Sequence, residues 1–89
     1  MNMDWGVAPT DAGLTAQNRE MLTEVERAGC SWRIRTTVNG GWFVETIPVD
    51  GRAKGLRCWD GPSIVSAIRN MYVGFFGIDA LQRIDNARR

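Results

Sequence analysis

The stretch "TTVNGGWFVE", residues 36–45, decides how the fold is read. Asn39-Gly40-Gly41 lies between two runs of alternating residue type, the mark of a β-hairpin, and the placing of its loop fixes which side chains share a face. A two-residue Asn39-Gly40 turn sets Val38 against Gly41 and Ile34 against Glu45, which brings a carboxylate into the core. A three-residue Asn39-Gly40-Gly41 loop, with Gly41 in the left-handed conformation, sets Val38 against Trp42, Thr36 against Val44 and Ile34 against Thr46. The second arrangement gathers one apolar face and pairs Arg35 with Glu45 on the other. Such a cross-strand ion pair contributes only ~0.2–1 kcal/mol, so burial of the apolar face is the deciding term.

Working outward, Pro48 stops the second strand or marks an edge, and Asp50-Gly51-Arg52 reads as a second loop. That loop brings "GLRCW" back as a third strand, with Val44 against Cys58, Thr46 against Leu56, Glu45 against Arg57 and Phe43 against Trp59. The inner face is then Trp32, Ile34, Val38, Trp42, Val44, Leu56 and Cys58, and the outer face is Arg33, Arg35, Thr37, Phe43, Glu45, Ile47, Arg57 and Trp59.

Two helices flank the sheet. Thr15 is placed to cap the first, over roughly 15–28, in which Asn18, Met21, Leu22, Val25 and Ala28 recur at helical spacing and Gly29 marks the end. After Asp60-Gly61, Pro62 suits a first helical position, and Ile64, Ala67, Ile68, Met71 and Phe75 form the stripe of the second helix. Gly74 and Gly77 break it, and Asp79 caps a last short helix that turns Leu81 and Ile84 toward the body. The expected fold is α+β: one α-β-β-β-α domain over 14–86, a three-stranded antiparallel meander with two helices on one face and a short C-terminal helix. Residues 1–13 are expected to be a flexible N-terminal arm, and 87–89 a frayed end. Trp5 in that arm reads either as a lid on the domain or as a binding anchor.

Composition narrows the function. With 89 residues, 44% hydrophobic and 24% charged, the chain has the make-up of one small globular domain rather than a disordered tail or a coiled coil. It contains no His, which removes Cys-His and Ser-His-Asp nucleophile systems, most zinc sites and the commonest general base. No enzyme, metal, cofactor or small-molecule substrate is therefore expected. Cys30 and Cys58 are expected as free thiols of a cytoplasmic protein, since the N-terminus lacks the basic and apolar regions of a signal peptide and no run is long and apolar enough to span a membrane.

Charge is uneven but small. Residues 1–30 carry five acids against two bases and the remainder nine bases against five acids, for a net +1. A dedicated nucleic-acid binder is usually far more basic. Two helices cover only one side of the meander, so the other side presents Arg33, Arg35, Phe43, Ile47, Arg57 and Trp59 as a candidate partner-binding patch. Trp, Phe and Arg together are the composition of a protein-interface hot spot. A protein partner or self-association is thus the first expectation, in the manner of a small inhibitor or adaptor such as phages and mobile elements encode. A nucleic-acid-binding module that stacks bases on the sheet aromatics is the alternative.

The α-β-β-β-α order resembles the double-stranded-RNA-binding domain, and "EVERAGCSWRIRTTVNGG…TIPV…GPSIVSAIRNM" loosely resembles HicA-type RNA-cleaving toxins built on that layout. The resemblance implies fold and RNA affinity over residues ~20–75. HicA-type toxins use a His after the hairpin turn, where Gly41-Trp42 stands here, and Pro62-Ser63-Ile64 replaces the lysine cluster that the RNA-binding domains place at their last helix.

Overall fold

A computed structural model describes residues 14–49 and 56–87. The expected arm with Trp5, the Asp50-Gly51-Arg52 loop and the terminal Arg88-Arg89 lie outside the described residues. The elements run α1 (Ala16–Arg27), β1 (Cys30–Thr36), β2 (Trp42–Pro48), β3 (Arg57–Gly61), α2 (Ile64–Phe76) and α3 (Ile78–Ala87). The strands form one antiparallel sheet in the order β1-β2-β3. This is the expected α+β meander with its helices. No described helix is long and apolar enough to cross a membrane.

Local chemistry sets the helix ends. Thr15 accepts from the Asn18 backbone N–H while Asn18 Oδ1 accepts from the Thr15 N–H, a reciprocal cap that explains why a polar residue sits in the buried stripe of α1. Ser63 and Ser66 make the same exchange at the start of α2. Pro62 therefore precedes the cap instead of occupying the first turn. Its hydrogen-free nitrogen costs nothing there.

The core is built from Met21, Leu22 and Val25 of α1, Trp32, Ile34 and Val44 of the sheet, Ile64, Ala67, Ile68, Met71 and Tyr72 of α2, and Ala80, Leu81 and Ile84 of α3. Tyr72 takes the buried place expected of Phe75, which is only partly covered, and Ala28 lies exposed beyond the stripe of α1. Helix α2 lies across β2 and β3, α1 lies against β1 and α2, and α3 packs on α2. Two polar contacts tie α1 in place: Trp32 Nε1 donates to Glu26 Oε2 at 2.8 Å, and the Tyr72 hydroxyl donates to Glu24 Oε1 at 2.8 Å. Burial, then the hydrogen bond and charge of Glu24, push the Tyr72 phenol up to about 12. Because its folded value is raised, the stabilisation from this phenol is complete below the ordinary range near pH 10 and fades as pH rises toward 12.

The first hairpin has a three-residue loop, but it is Val38-Asn39-Gly40. Thr37 N–H donates to the Gly41 carbonyl at 2.8 Å and Gly40 N–H to the Thr37 carbonyl at 3.1 Å, with Gly40 left-handed at φ 83°. Gly40, not Gly41, meets the demand for positive φ. The loop lies one residue earlier than expected and each cross-strand partner moves by two, so Ile34 meets Val44, Arg33 meets Glu45 and Thr36 meets Trp42. A shift of two preserves the faces. Val38 leaves the inner face altogether and stands fully exposed in the loop.

The third strand departs further. Val44 pairs with Trp59, Glu45 with Cys58 and Thr46 with Arg57, an odd shift that exchanges the two faces of β3. Trp59 and Arg57 thus lie on the helix side, whereas Cys58 is exposed on the other and Leu56, before the strand, is 55% exposed. The physical cause is in α2. Gly74 continues the helix instead of breaking it and leaves a bay for the Trp59 indole, whose Cε2 and Cζ2 would lie 2.8 and 2.9 Å from a Cβ at that position. Filling that bay with a Trp ring outweighs the smaller gain from burying Cys58.

Among the described residues two buried polar atoms have no hydrogen-bond partner, Asn18 Nδ2 and the Thr46 hydroxyl. Thr46 is fully buried and its hydroxyl finds no hydrogen-bond partner. Thr46→Val keeps the shape and removes the polar group, so urea unfolding is expected to show a gain of about 1 kcal/mol; a loss of stability would mean that the hydroxyl is satisfied in solution.

Candidate functional site

All three helices lie on one side of the sheet or beyond it, and no described element covers the opposite side. The strand register arranges that face in rows. Arg33, Glu45 and Cys58 form the central row; Arg35, Phe43 and Asp60 form the next; Ser31 and Ile47 form the third. Of the six residues expected there, Arg33, Arg35, Phe43 and Ile47 are brought together. Arg57 and Trp59 are not, because the face exchange of β3 turns them toward α2.

The centre of the face is an ion cluster. Glu45 is only 7% exposed, and its Oε1 accepts from Arg33 Nε at 2.9 Å and Arg33 Nη2 at 2.7 Å, with Arg35 Nε at 3.3 Å. Three contacts on one carboxylate oxygen hold both arginines in place, and the two cations are matched by the carboxylates of Glu45 and Asp60. The face is electrically balanced.

Phe43 supplies the apolar component. The Arg35 guanidinium lies over its ring at 4.8 Å from the centroid, a cation–π contact that orients both side chains. Beside it, Thr37, Phe43, Cys58, Trp59 and Asp60 line a depression of about 340 Å³. Ile47 continues the apolar strip past Glu45 and is half-buried, as is Phe43. The patch is thus a Phe and an Ile separated by a neutralised arginine pair, next to a hollow.

Cys58 and Asp60 are members of this face that the alternation of "GLRCW" assigns wrongly or leaves out. The signal that places them is Gly74: it stands on the core-facing row with Ala67 and Met71, where a glycine implies that a large ring approaches the helix closely. Both cysteines are free thiols, Cys30 half-buried and Cys58 exposed. Among the described residues no group of three His, Cys, Asp or Glu is placed to hold a metal ion.

Comparison with protein-family models, with characterised proteins and with solved structures yields no significant match. The likeness to double-stranded-RNA-binding domains is one of element order, so the reading of function rests on the face itself.

Proposed function

We propose that this chain is a non-enzymatic, cytoplasmic binding domain that takes a protein partner on the open face of its sheet, as a small inhibitor or adaptor does. The observation that supports this reading most is the balanced charge of the face: Arg33 and Arg35 are both engaged by Glu45, and Arg35 by Phe43. A phosphate backbone needs cations free to displace its counterions, and the carboxylates of Glu45 and Asp60 work against it. A protein interface has no such need. It favours an aromatic anchor, arginines held in fixed geometry and a hollow for a partner side chain, with charged groups paired instead of bare.

The anchor is Phe43, with Ile47 as its apolar neighbour. Phe43→Ala is expected to weaken the native complex by about 2 kcal/mol or more while the domain stays folded, since the ring lies outside the helix-facing core. The test is affinity capture from a bacterial lysate with the tagged full chain and with Phe43→Ala, with and without nuclease, at low and high salt. A protein retained after nuclease treatment and in high salt, and lost with Phe43→Ala, is the expected result. Binding stripped by nuclease, or single-strand affinity falling with salt at a log–log slope of about −0.7 per phosphate contact, would replace this reading with the nucleic-acid one.

A further inference from the structure

A second surface, separate from the open sheet face, lies where β3 meets the end of α2. Aromatic rings follow one another along it: Trp59 and Phe75 have centroids 5.3 Å apart and Phe75 and Phe76 5.8 Å, and Phe76 in turn rests on the buried Tyr72 at 4.8 Å. The Arg57 guanidinium sits over the first two, 4.8 Å from the Trp59 centroid and 5.0 Å from that of Phe75. Its Nη2 donates to the Gly74 carbonyl at a long 3.3 Å. Arg33, Arg35 and Arg69 each meet a carboxylate, whereas Arg57 has none within ion-pair distance among the described residues. At the end of this series of rings Phe76 is 37% exposed.

We propose that this surface binds a peptide segment of a partner protein, with a carboxylate of the peptide on Arg57 and an apolar side chain beside that carboxylate on Phe76. The two rings and the Gly74 carbonyl fix the guanidinium before anything binds, so little side-chain freedom is lost on docking. Its remaining N–H groups form a fork suited to a carboxylate, and the aromatic surroundings keep competing water from one side of it. The chemistry favours a carboxylate-bearing peptide over a nucleic-acid strand. Among the described residues Arg57 is the cation that lies over Trp59 and Phe75, whereas a phosphate chain is held by a row of cations, and Phe76 offers aromatic area that an apolar peptide side chain would cover.

The test is a display library of randomised twelve-residue peptides selected on the full chain. Enriched peptides are expected to carry Asp, Glu or a free C-terminal carboxylate next to apolar residues. A synthetic peptide of that kind is expected to lose at least tenfold in affinity with Arg57→Gln, and equally when its own carboxylate is changed to an amide. Phe43→Ala should leave its affinity unchanged, which separates this surface from the open sheet face. If Arg57→Gln disturbs folding, the amide-for-carboxylate peptide carries the test alone. No enrichment, no preference for acidic peptides, affinity indifferent to loss of the carboxylate, or Arg57-dependent binding of oligonucleotides instead would each overturn the proposal.

Discussion

Trp59→Ala is expected to destabilise the domain by about 3 kcal/mol, at the low end for loss of a large aromatic because the ring is half-buried. The indole fills the bay at Gly74 and packs at a tilt against Phe75, and Arg57 lies over it, so its removal leaves a gap between β3 and α2 that rigid neighbours cannot close. Gly74→Ala probes the same contact from the other side. Alanine is the better helix former by roughly 1 kcal/mol, yet its Cβ would fall on the indole, and displacing a ring from a packed site costs about 1–3 kcal/mol. A net loss near 1–2 kcal/mol is expected from Gly74→Ala, and less than the separate sum from the double variant, because both act on one contact. Urea unfolding measures all three. Unchanged stability with Trp59→Ala would return that ring to the open face, where simple strand alternation puts it.

Glu45→Ala is expected to cost about 2 kcal/mol. An exposed ion pair contributes ~0–1 kcal/mol and a fully buried one costs ~3–5 when broken, and this cluster lies between them. The Glu45 side chain is 9% exposed, that of Arg33 22% and that of Arg35 51%. Loss of the carboxylate leaves the half-covered Arg33 beside Arg35 without the charge that Arg33 and Arg35 share. It follows that Arg33→Ala should cost more than Arg35→Ala, and that a double-mutant cycle should find larger coupling to Glu45 for Arg33 than for Arg35. Equal and near-zero couplings for the two arginines would reduce the cluster to a surface pair.

How far the chain can be read without coordinates is clearest along the sheet. Period-2 alternation in "SWRIRTTV" separates inside from outside for β1, whose bulky apolar residues Trp32 and Ile34 share one face, and the short hairpin carries that choice to "GWFVETIPV", which has large apolar residues on both faces. The loop between them is legible in length but not in place: Asn39-Gly40 and Gly40-Gly41 are both acceptable turn chemistry. The hydrogen bond from Gly41 N–H to Thr37 Oγ1 at 3.0 Å and the pairing of Thr37 with Gly41 select Gly40. For β3 alternation has nothing to decide with. Leu56 and Cys58 are apolar at one parity and Trp59 at the other, and the long connection from Thr46 to Arg57 does not fix the shift. The answer is held in α2, a tertiary contact no local pattern contains. The candidate site inherits this difference. Its β1 and β2 members, Arg33, Arg35, Phe43 and Ile47, are readable; Cys58 and Asp60 replace Arg57 and Trp59 only once α2 is packed on the sheet.

The exchange also supplies the means to test whether the open face receives a protein. Cys58 is an exposed thiol in the same row as Glu45, so a photo-activated cross-linker attached to it, in a Cys30→Ser background, samples whatever occupies the face. After irradiation in a bacterial lysate, the expected product is a discrete protein adduct that survives nuclease and high salt and disappears with Phe43→Ala. An adduct removed by nuclease, or protein adducts indifferent to Phe43→Ala, would mean that the open face is not a protein-binding surface anchored by Phe43.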